Sequence, residues 1–320
     1  MATSKSLRIV FMGTPEFAVA SLEALVNSGF NIVGVVTAPD KPAGRGLKMS
    51  ESAVKKYAID KGLFVLQPEK LKNPAFIEEL RSLKADLQVV VAFRMLPEVV
   101  WSMPALGTIN LHGSLLPQYR GAAPINWAVI NGERETGVTT FKLKHEIDTG
   151  NILLQEKFAI GPDDTAGDIH DKMKVIGAGV LVKTVTGLAE DNLQEISQQS
   201  ERVATNSPLR HAPKITTDTC KIDFNKSTGE VHNLIRGLSP FPTAFTTLNG
   251  KVLKIFRAET GWPGHDSIGT LLPPGDHVTD GKTFLRFACS DGYINIRELQ
   301  LEGKKRLAVE DFLRGYHFTD

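Results

Sequence analysis

The chain has 320 residues (34.9 kDa), 42% hydrophobic and 23% charged, enough for a sizeable core and for two domains. Lys and Arg number 37 against 36 Asp and Glu, so the formal charge is +1, which excludes the general basicity of a nucleic-acid-coating protein; any polyanion must be met by a local patch. No apolar run approaches the roughly 18 residues of a membrane span, the polar Met1–Ser6 does not read as a signal sequence, and Cys220 and Cys289 form neither a disulfide framework nor a metal pattern, so a reducing cytoplasm is the expected compartment.

From the N-terminus, Leu7–Gly13 (LRIVFMG) reads as a buried strand, followed by a helix over Glu16–Ser28 with Phe17, Leu22, Leu25 and Val26 on one stripe. The alternation continues with a strand Ile32–Val36, a helix near Ser50–Lys61, a strand Phe64–Leu66, a helix near Pro74–Leu83, and strands Leu87–Phe93 and Thr108–Leu111. Apolar strands separated by helices predict a doubly wound, mostly parallel α/β sheet covered on both faces. A helix near Ala122–Asn131 precedes strands Thr136–Leu143 and Ile152–Ile160, and Thr165–Asp168 has capping-box spacing ahead of a helix striped by Ile169, Met173, Ile176 and Val180.

Residues 191–213 lose both periods and carry two prolines, so a linker is expected there, between a domain over 1–190 and another over 214–320. In the second, one helix near Thr228–Gly237 and strands at Ala244–Leu248, Val252–Ala258, Thr283–Ala288 and Tyr293–Leu301 suggest a small OB-like β-barrel. Phe241, Phe245, Phe256 and Trp262 are expected in its core rather than as base-stacking platforms.

The turn after the first strand, Gly13-Thr14-Pro15-Glu16-Phe17, has one glycine where a dinucleotide fingerprint needs three, which disfavours nicotinamide chemistry. The informative segment is Thr108–Gly137. Asn110 and His112 stand two apart at the end of an apolar strand and so share a face, at the edge where open α/β sheets bind ligands. Downstream, His145-Glu146-Ile147-Asp148-Thr149-Gly150 offers a carboxylate in a tight loop that could orient the imidazole. Amide, imidazole and carboxylate together suit acyl transfer to an amine, with two donors for the oxyanion and a carboxylate to hold the ring and move a proton. On spacing alone a structural reading has the edge: Asn110 capping a turn, His112 a satisfied buried histidine, Asp148 merely shaping the turn.

A resemblance reverses that balance. NLHGSLLPQYRGAAPINWAVINGERETGVT, the downstream IDTG, the upstream APDKPAGRGLK and the SPFPTAF segment at Ser239–Phe245 closely resemble the methionyl-tRNA formyltransferase family, within the wider group of 10-formyltetrahydrofolate-dependent formyltransferases. The Asn-x-His, SLLP and Asp-Thr-Gly elements are shared across that wider group; the RGAAP run, the PAGRG loop and the C-terminal region narrow the match. The resemblance implies formyl transfer from 10-formyltetrahydrofolate to the α-amine of methionyl initiator tRNA, with Asn110, His112 and Asp148 catalytic and Ser114, Leu115, Leu116 and Pro117 lining the folate site. Phe93 and Arg94 would border the pterin; here Ala92-Phe93-Arg94-Met95-Leu96-Pro97 departs from the family's Ala-Tyr-Gly-x-x-Leu-Pro, with a cation in place of glycine.

The resemblance also implies that Lys41, Arg45 and Lys48, in a Gly- and Pro-rich loop too irregular for repetitive structure, meet the tRNA acceptor arm, and that the C-terminal domain binds tRNA. No metal is called for, no membrane contact is expected, and the enzyme is expected to act as a monomer. The rivals are a formyltransferase for another amine, such as glycinamide ribonucleotide or an amino sugar nucleotide, and a noncatalytic folate- or RNA-binding module.

Overall fold

The computed structural model describes residues 6–43, 48–200, 208–261, 271–316 and 318. The chain forms two compact units: residues 1–121, 137–158 and 170–211 make one, and 122–136, 159–169 and 212–320 the other.

The first unit is built on β1 (Arg8–Gly13), α1 (Glu16–Asn27), β2 (Asn31–Val36), the short β3 (Lys41–Ala43) and β4 (Lys48–Ser50), and α2 (Ala53–Asp60). It continues through β5 (Val65–Leu66), α3 (Pro74–Ser82), β6 (Leu87–Val91), α4 (Glu98–Trp101), β7 (Thr108–His112) and β8 (Arg120–Gly121). α5 (Pro124–Ile130) belongs to the second unit, whereas β9 (Glu135–Lys142), β10 (Ile152–Ala159) and α6 (Ala166–Ala189) lie largely within this one. The main sheet has the order β10-β9-β7-β6-β1-β2-β5. β1, β2, β5, β6 and β7 pair in parallel, and β9 lies antiparallel to β7.

Ile9, Val10, Phe11 and Met12 are fully buried at the centre of this sheet, which is why β1 is apolar without alternation. From β1 the chain winds outward through β2 and β5, then returns to add β6 and β7 on the other side. The direction of winding therefore reverses between β1 and β6, and ligands of open α/β sheets bind beyond the strand ends at such a reversal. Gly13 ends β1 there: a Cβ on it would lie 2.7 Å from the Cβ of Ala18 and 3.0 Å from the carbonyl oxygen of Val91.

Local chemistry sets the helix starts. Ser52 caps α2 by accepting the Lys55 amide at 3.0 Å, Asn73 caps α3 ahead of Pro74, and Thr165 and Asp168 exchange bonds in a capping box before α6. The helix predicted from Ser50 starts at Ala53, because Lys48–Ser50 is instead a strand. Lys41 and Lys48, expected in a loop without regular structure, instead lie on a two-stranded ribbon that pairs Lys41 with Ser50, Pro42 with Met49 and Ala43 with Lys48. Pro42 is tolerated because both strands of a two-stranded ribbon are edges. Arg45 lies outside the described residues.

After the short β11 (His211–Ala212), β12 (Ala244–Leu248), β13 (Lys251–Gly261), β14 (His277–Thr279), β15 (Leu285–Ala288) and β16 (Tyr293–Leu301) of the second unit form a curled antiparallel sheet in the order β12-β13-β16-β15-β14. β17 (Leu307–Ala308) adds to β16. Register shifts around Arg257 bulge the long β13, which bends it and lets the sheet curl in the OB-like manner. The helix Thr228–Leu238, opened by a Ser227/Glu230 capping box, buries Val231, Ile235 and Leu238 against Leu253, Ile255 and Leu299.

Phe256 is buried and Phe245 half-buried, and Trp262 lies outside the described residues. Phe241 departs from its expected core position: it is 82% exposed. The turn that carries it is closed by the Thr243 amide on the Leu238 carbonyl at 2.9 Å and the Thr243 hydroxyl on the Pro240 carbonyl at 2.8 Å, which leaves the ring between two prolines facing solvent.

Candidate active site

β7 is hydrogen-bonded on both sides, with Asn110 opposite Val90 of β6 and Phe141 of β9, and His112 opposite Thr139. This brings Asn110 and His112 to the carboxyl end of an interior strand on one face. The Asn110 amide is half-buried and has no hydrogen-bond partner among the described residues. His112 is only 7% exposed and meets the edge of the Phe141 ring.

The His112 ring is fixed by a backbone group. Nε2 lies 2.9 Å from the carbonyl oxygen of Tyr119; a carbonyl only accepts, so Nε2 carries a proton and donates it. Nδ1 then faces Asp148, whose Oδ2 is 3.9 Å away. At that distance Asp148 accepts no hydrogen bond from the ring, contrary to the expectation from sequence, and the Tyr119 carbonyl does the holding. Two hydrogen-bond reaches of about 2.8 Å exceed that separation, so one small group can touch Nδ1 and the carboxylate at once.

Asp148 is itself tightly placed. Its Oδ2 accepts the Gly121 amide at 3.0 Å, and its backbone adopts φ 54°, a left-handed conformation that costs a non-glycine residue on the order of 1 kcal/mol or more. The loop after β9 closes against Lys142: a Cβ on Gly150 would fall 1.6 Å from the Lys142 carbonyl oxygen, so only glycine fits. Gln198 donates from Nε2 to the carbonyls of Asp148 (2.9 Å) and Gly150 (2.7 Å), and its Oε1 accepts from Arg120 Nε (3.0 Å) and Nη2 (2.6 Å). Gln198, Tyr119 and Gly121 carry no signal in the sequence, because each acts through backbone groups distant along the chain.

The loop leaving β7 is stitched to β9 and β10. Thr139 donates to the Ser114 carbonyl (2.6 Å) and accepts from the Leu116 amide (3.1 Å), while Gln155 donates to Thr139 Oγ and to the Leu116 carbonyl, both at 2.8 Å. Ser114 spends its hydroxyl on the Gln118 carbonyl, Leu116 packs with Phe141 and Ile152, Pro117 is buried and Leu115 half-buried. At the reversal point, Phe93 is half-buried, and Arg94 lies along it while donating to the carbonyls of Glu69 (2.8 Å) and Pro68. Partial burial pulls the Arg94 guanidinium below its ordinary pKa.

Lys41 is exposed on β3. Below that ribbon, Lys55 pairs with Asp40 and with Glu51 at 2.8 Å, and Gln67 donates to Asp40 Oδ1 at 2.8 Å. Among the described residues no group of three or more His, Cys, Asp or Glu gathers as metal ligands, and no helix is long and apolar enough to cross a membrane.

Residues 7–185 match the family model described as formyl transferase, and residues 214–317 match the formyl transferase C-terminal domain. The chain is 54% identical over 321 residues to the methionyl-tRNA formyltransferase of Bacteroides fragilis, covering 99% of this chain and 97% of that one. It belongs to the methionyl-tRNA formyltransferase family. The relative of the same name in Flavobacterium johnsoniae is 46% identical across 99% of this chain and 98% of its own.

Among solved structures, the N-formyltransferase of Helicobacter canadensis, in complex with folinic acid and dTDP-3-aminofucose, shares the fold at 22% identity and TM-score 0.68, over 94% of this chain and 100% of that one. Glycinamide ribonucleotide transformylase 1 of Symbiobacterium toebii shares the fold over 60% of this chain and 94% of its own at TM-score 0.52 and 17% identity.

Proposed function

We propose that the protein transfers the formyl group of 10-formyltetrahydrofolate to the α-amine of methionyl initiator tRNA, in the cytoplasm and as a monomer. The observation that carries this reading is the pairing of His112 Nδ1 with Asp148 Oδ2 across 3.9 Å, with the unspent Asn110 amide two residues away on the same strand. The free amine adds to the formyl carbon. The Asn110 amide and a protonated Nδ1 of His112 donate to the developing oxyanion. Asp148 takes up the amine's proton, the C–N10 bond of the donor breaks as the new amide forms, and the proton is returned to N10 of the departing tetrahydrofolate.

In this reading the Ser114–Pro117 loop and the Phe93–Arg94 segment hold the donor, chiefly by the shape of a loop whose polar groups are already satisfied. Lys41, Arg45 and Lys48 meet the acceptor arm, with the C-terminal region, residues 214–320, contributing further tRNA contact. The 54% identity to a relative named for methionyl-tRNA supports the tRNA acceptor over an amino sugar. Incubation with the formyl donor and, in parallel, charged initiator tRNA or a dTDP-linked amino sugar tests this. Formyl-methionine released from the tRNA is the expected product; formylation of the sugar alone would overturn the acceptor assignment.

A further inference from the structure

Gln198 occupies the polar stretch after α6, yet it is 3% exposed and uses both ends of its amide. Its two N–H bonds go to the carbonyls of Asp148 and Gly150, either side of Thr149, and its oxygen takes two N–H groups of Arg120. Arg120 adjoins Gly121, whose amide holds the Asp148 carboxylate, and follows Tyr119, whose carbonyl holds His112. One side chain thus ties the backbone that carries the carboxylate to the backbone that anchors both Asp148 and His112. Gln198 is brought there by reciprocal backbone bonds between Ile196 and Ile152 at 2.8 and 2.9 Å and by the ion pair of Glu195 with Lys142 at 2.6 Å.

We infer that Gln198, with Arg120, is a positioning residue for formyl transfer: it touches no reactant and sets the spacing between Asp148 and His112. This rests on the catalytic reading of those two residues. The chemistry of the amide suits the task, since only a side chain with two donors and an acceptor at one end can bridge two carbonyls to a guanidinium. The left-handed backbone of Asp148 supplies the reason that such a clamp is needed, because that conformation persists only where its surroundings hold it.

The test is a double-mutant cycle on the full chain, read by single-turnover formylation of charged initiator tRNA. Gln198→Leu is expected to lower the rate by about 10- to 100-fold, the cost of misplacing a catalytic group by about 1 Å. Dissociation constants for donor and tRNA should change by less than about threefold. Gln198→Glu keeps the acceptor for Arg120 but loses both donors, and should fail to rescue. In an Asp148→Asn background, Gln198→Leu should cost less than about twofold more, because the clamp works through that carboxylate.

Equal fold losses in both backgrounds, a loss confined to binding, or wild-type rates in Gln198→Glu would overturn the inference. If Gln198→Leu does not fold, Arg120→Met removes the other half of the bridge and carries the same cycle. A wild-type rate for Asp148→Asn alone would instead remove the catalytic reading of Asp148, whereas a crippled Asp148→Asn beside a wild-type Gln198→Leu would remove only the positioning role.

Discussion

His112 donates through Nε2 to the carbonyl oxygen of Tyr119 at 2.9 Å, and that single bond leaves Nδ1 as the nitrogen able to meet a substrate. A histidine two residues beyond an asparagine could present either nitrogen, and the two choices place the proton more than an ångström apart. The backbone carbonyl makes the choice before any ligand arrives, so the ring need not rotate to present Nδ1 at the transition state.

His112→Ala should therefore lower kcat far more than it weakens donor binding, by about 100- to 1,000-fold for the loss of an oxyanion donor, and Asp148→Asn by about 100- to 10,000-fold for the loss of a proton acceptor. The side chains also discriminate between the nitrogens. His112→Asn places an amide near the former Nδ1 and should retain more activity than His112→Gln, whose amide reaches toward Tyr119. Steady-state kinetics with fold checked by circular dichroism decide this; the reverse order would assign Nε2 to the substrate.

The strands of the main sheet were legible because each is a short apolar run bounded by turn residues, and Asn110 and His112 stood out as a polar pair at the end of such a run, although it was the resemblance and not their spacing that gave them a catalytic reading. Partnership across the chain was not. Gln198 sits 50 positions from Asp148 in a stretch with neither period, and its bonds run to carbonyls that carry no sequence identity. The pairing of Lys41–Ala43 with Lys48–Ser50 was hidden by composition, since a stretch rich in Gly and Pro reads as irregular even where short strands occur within it. Phe241 misled in the opposite way: hydrophobicity predicts burial, while the proline on each side fixes a turn that turns the ring outward.

Burial pushes the Cys289 thiol up to about 12 from an ordinary 9.0, with Asp291 adding to the effect. The folded state thus keeps a proton that the unfolded chain releases above about pH 9. The thiol's contribution to stability is complete below that pH and declines as pH rises toward 12. Urea midpoints of the wild type should fall more steeply between pH 9 and 11 than those of Cys289→Ala, and a thiol reagent at pH 8 should leave Cys220 and Cys289 unlabelled until urea unfolds the protein, since both are buried. Rapid native labelling at Cys289 would contradict the packing.

Lys55 anchors the base of the loop assigned to tRNA by pairing with Asp40 and Glu51. The hydrogen bond from Lys55, and next that from Gln67, hold the Asp40 carboxyl below the usual carboxylate range. The anchor is therefore intact above about pH 4 and released as pH falls through the depressed value. Lys55→Met should raise KM for charged tRNA several-fold while donor binding, measured by fluorescence titration, stays unchanged. A parallel loss of donor affinity would mean that this ribbon serves the folate side.

Thr139→Val separates donor binding from chemistry. The hydroxyl donates to the Ser114 carbonyl and accepts from the Leu116 amide and from Gln155, so it is the knot that holds the loop leaving β7. Valine has nearly the same shape and suits a strand, so the pairing of β7 with β9, and with it His112 opposite residue 139, should survive. What is lost is the satisfaction of buried polar groups at Ser114 and Leu116, which costs about 1–3 kcal/mol for each group left unpaired. A displaced loop should raise KM for 10-formyltetrahydrofolate, and thermal unfolding should shift downward. The bonds of His112 to Tyr119 and of Asp148 to Gly121 do not pass through Thr139, so kcat at saturating donor should stay near that of the wild type. A fall in kcat with unchanged KM would mean that this loop positions the reacting groups rather than the folate.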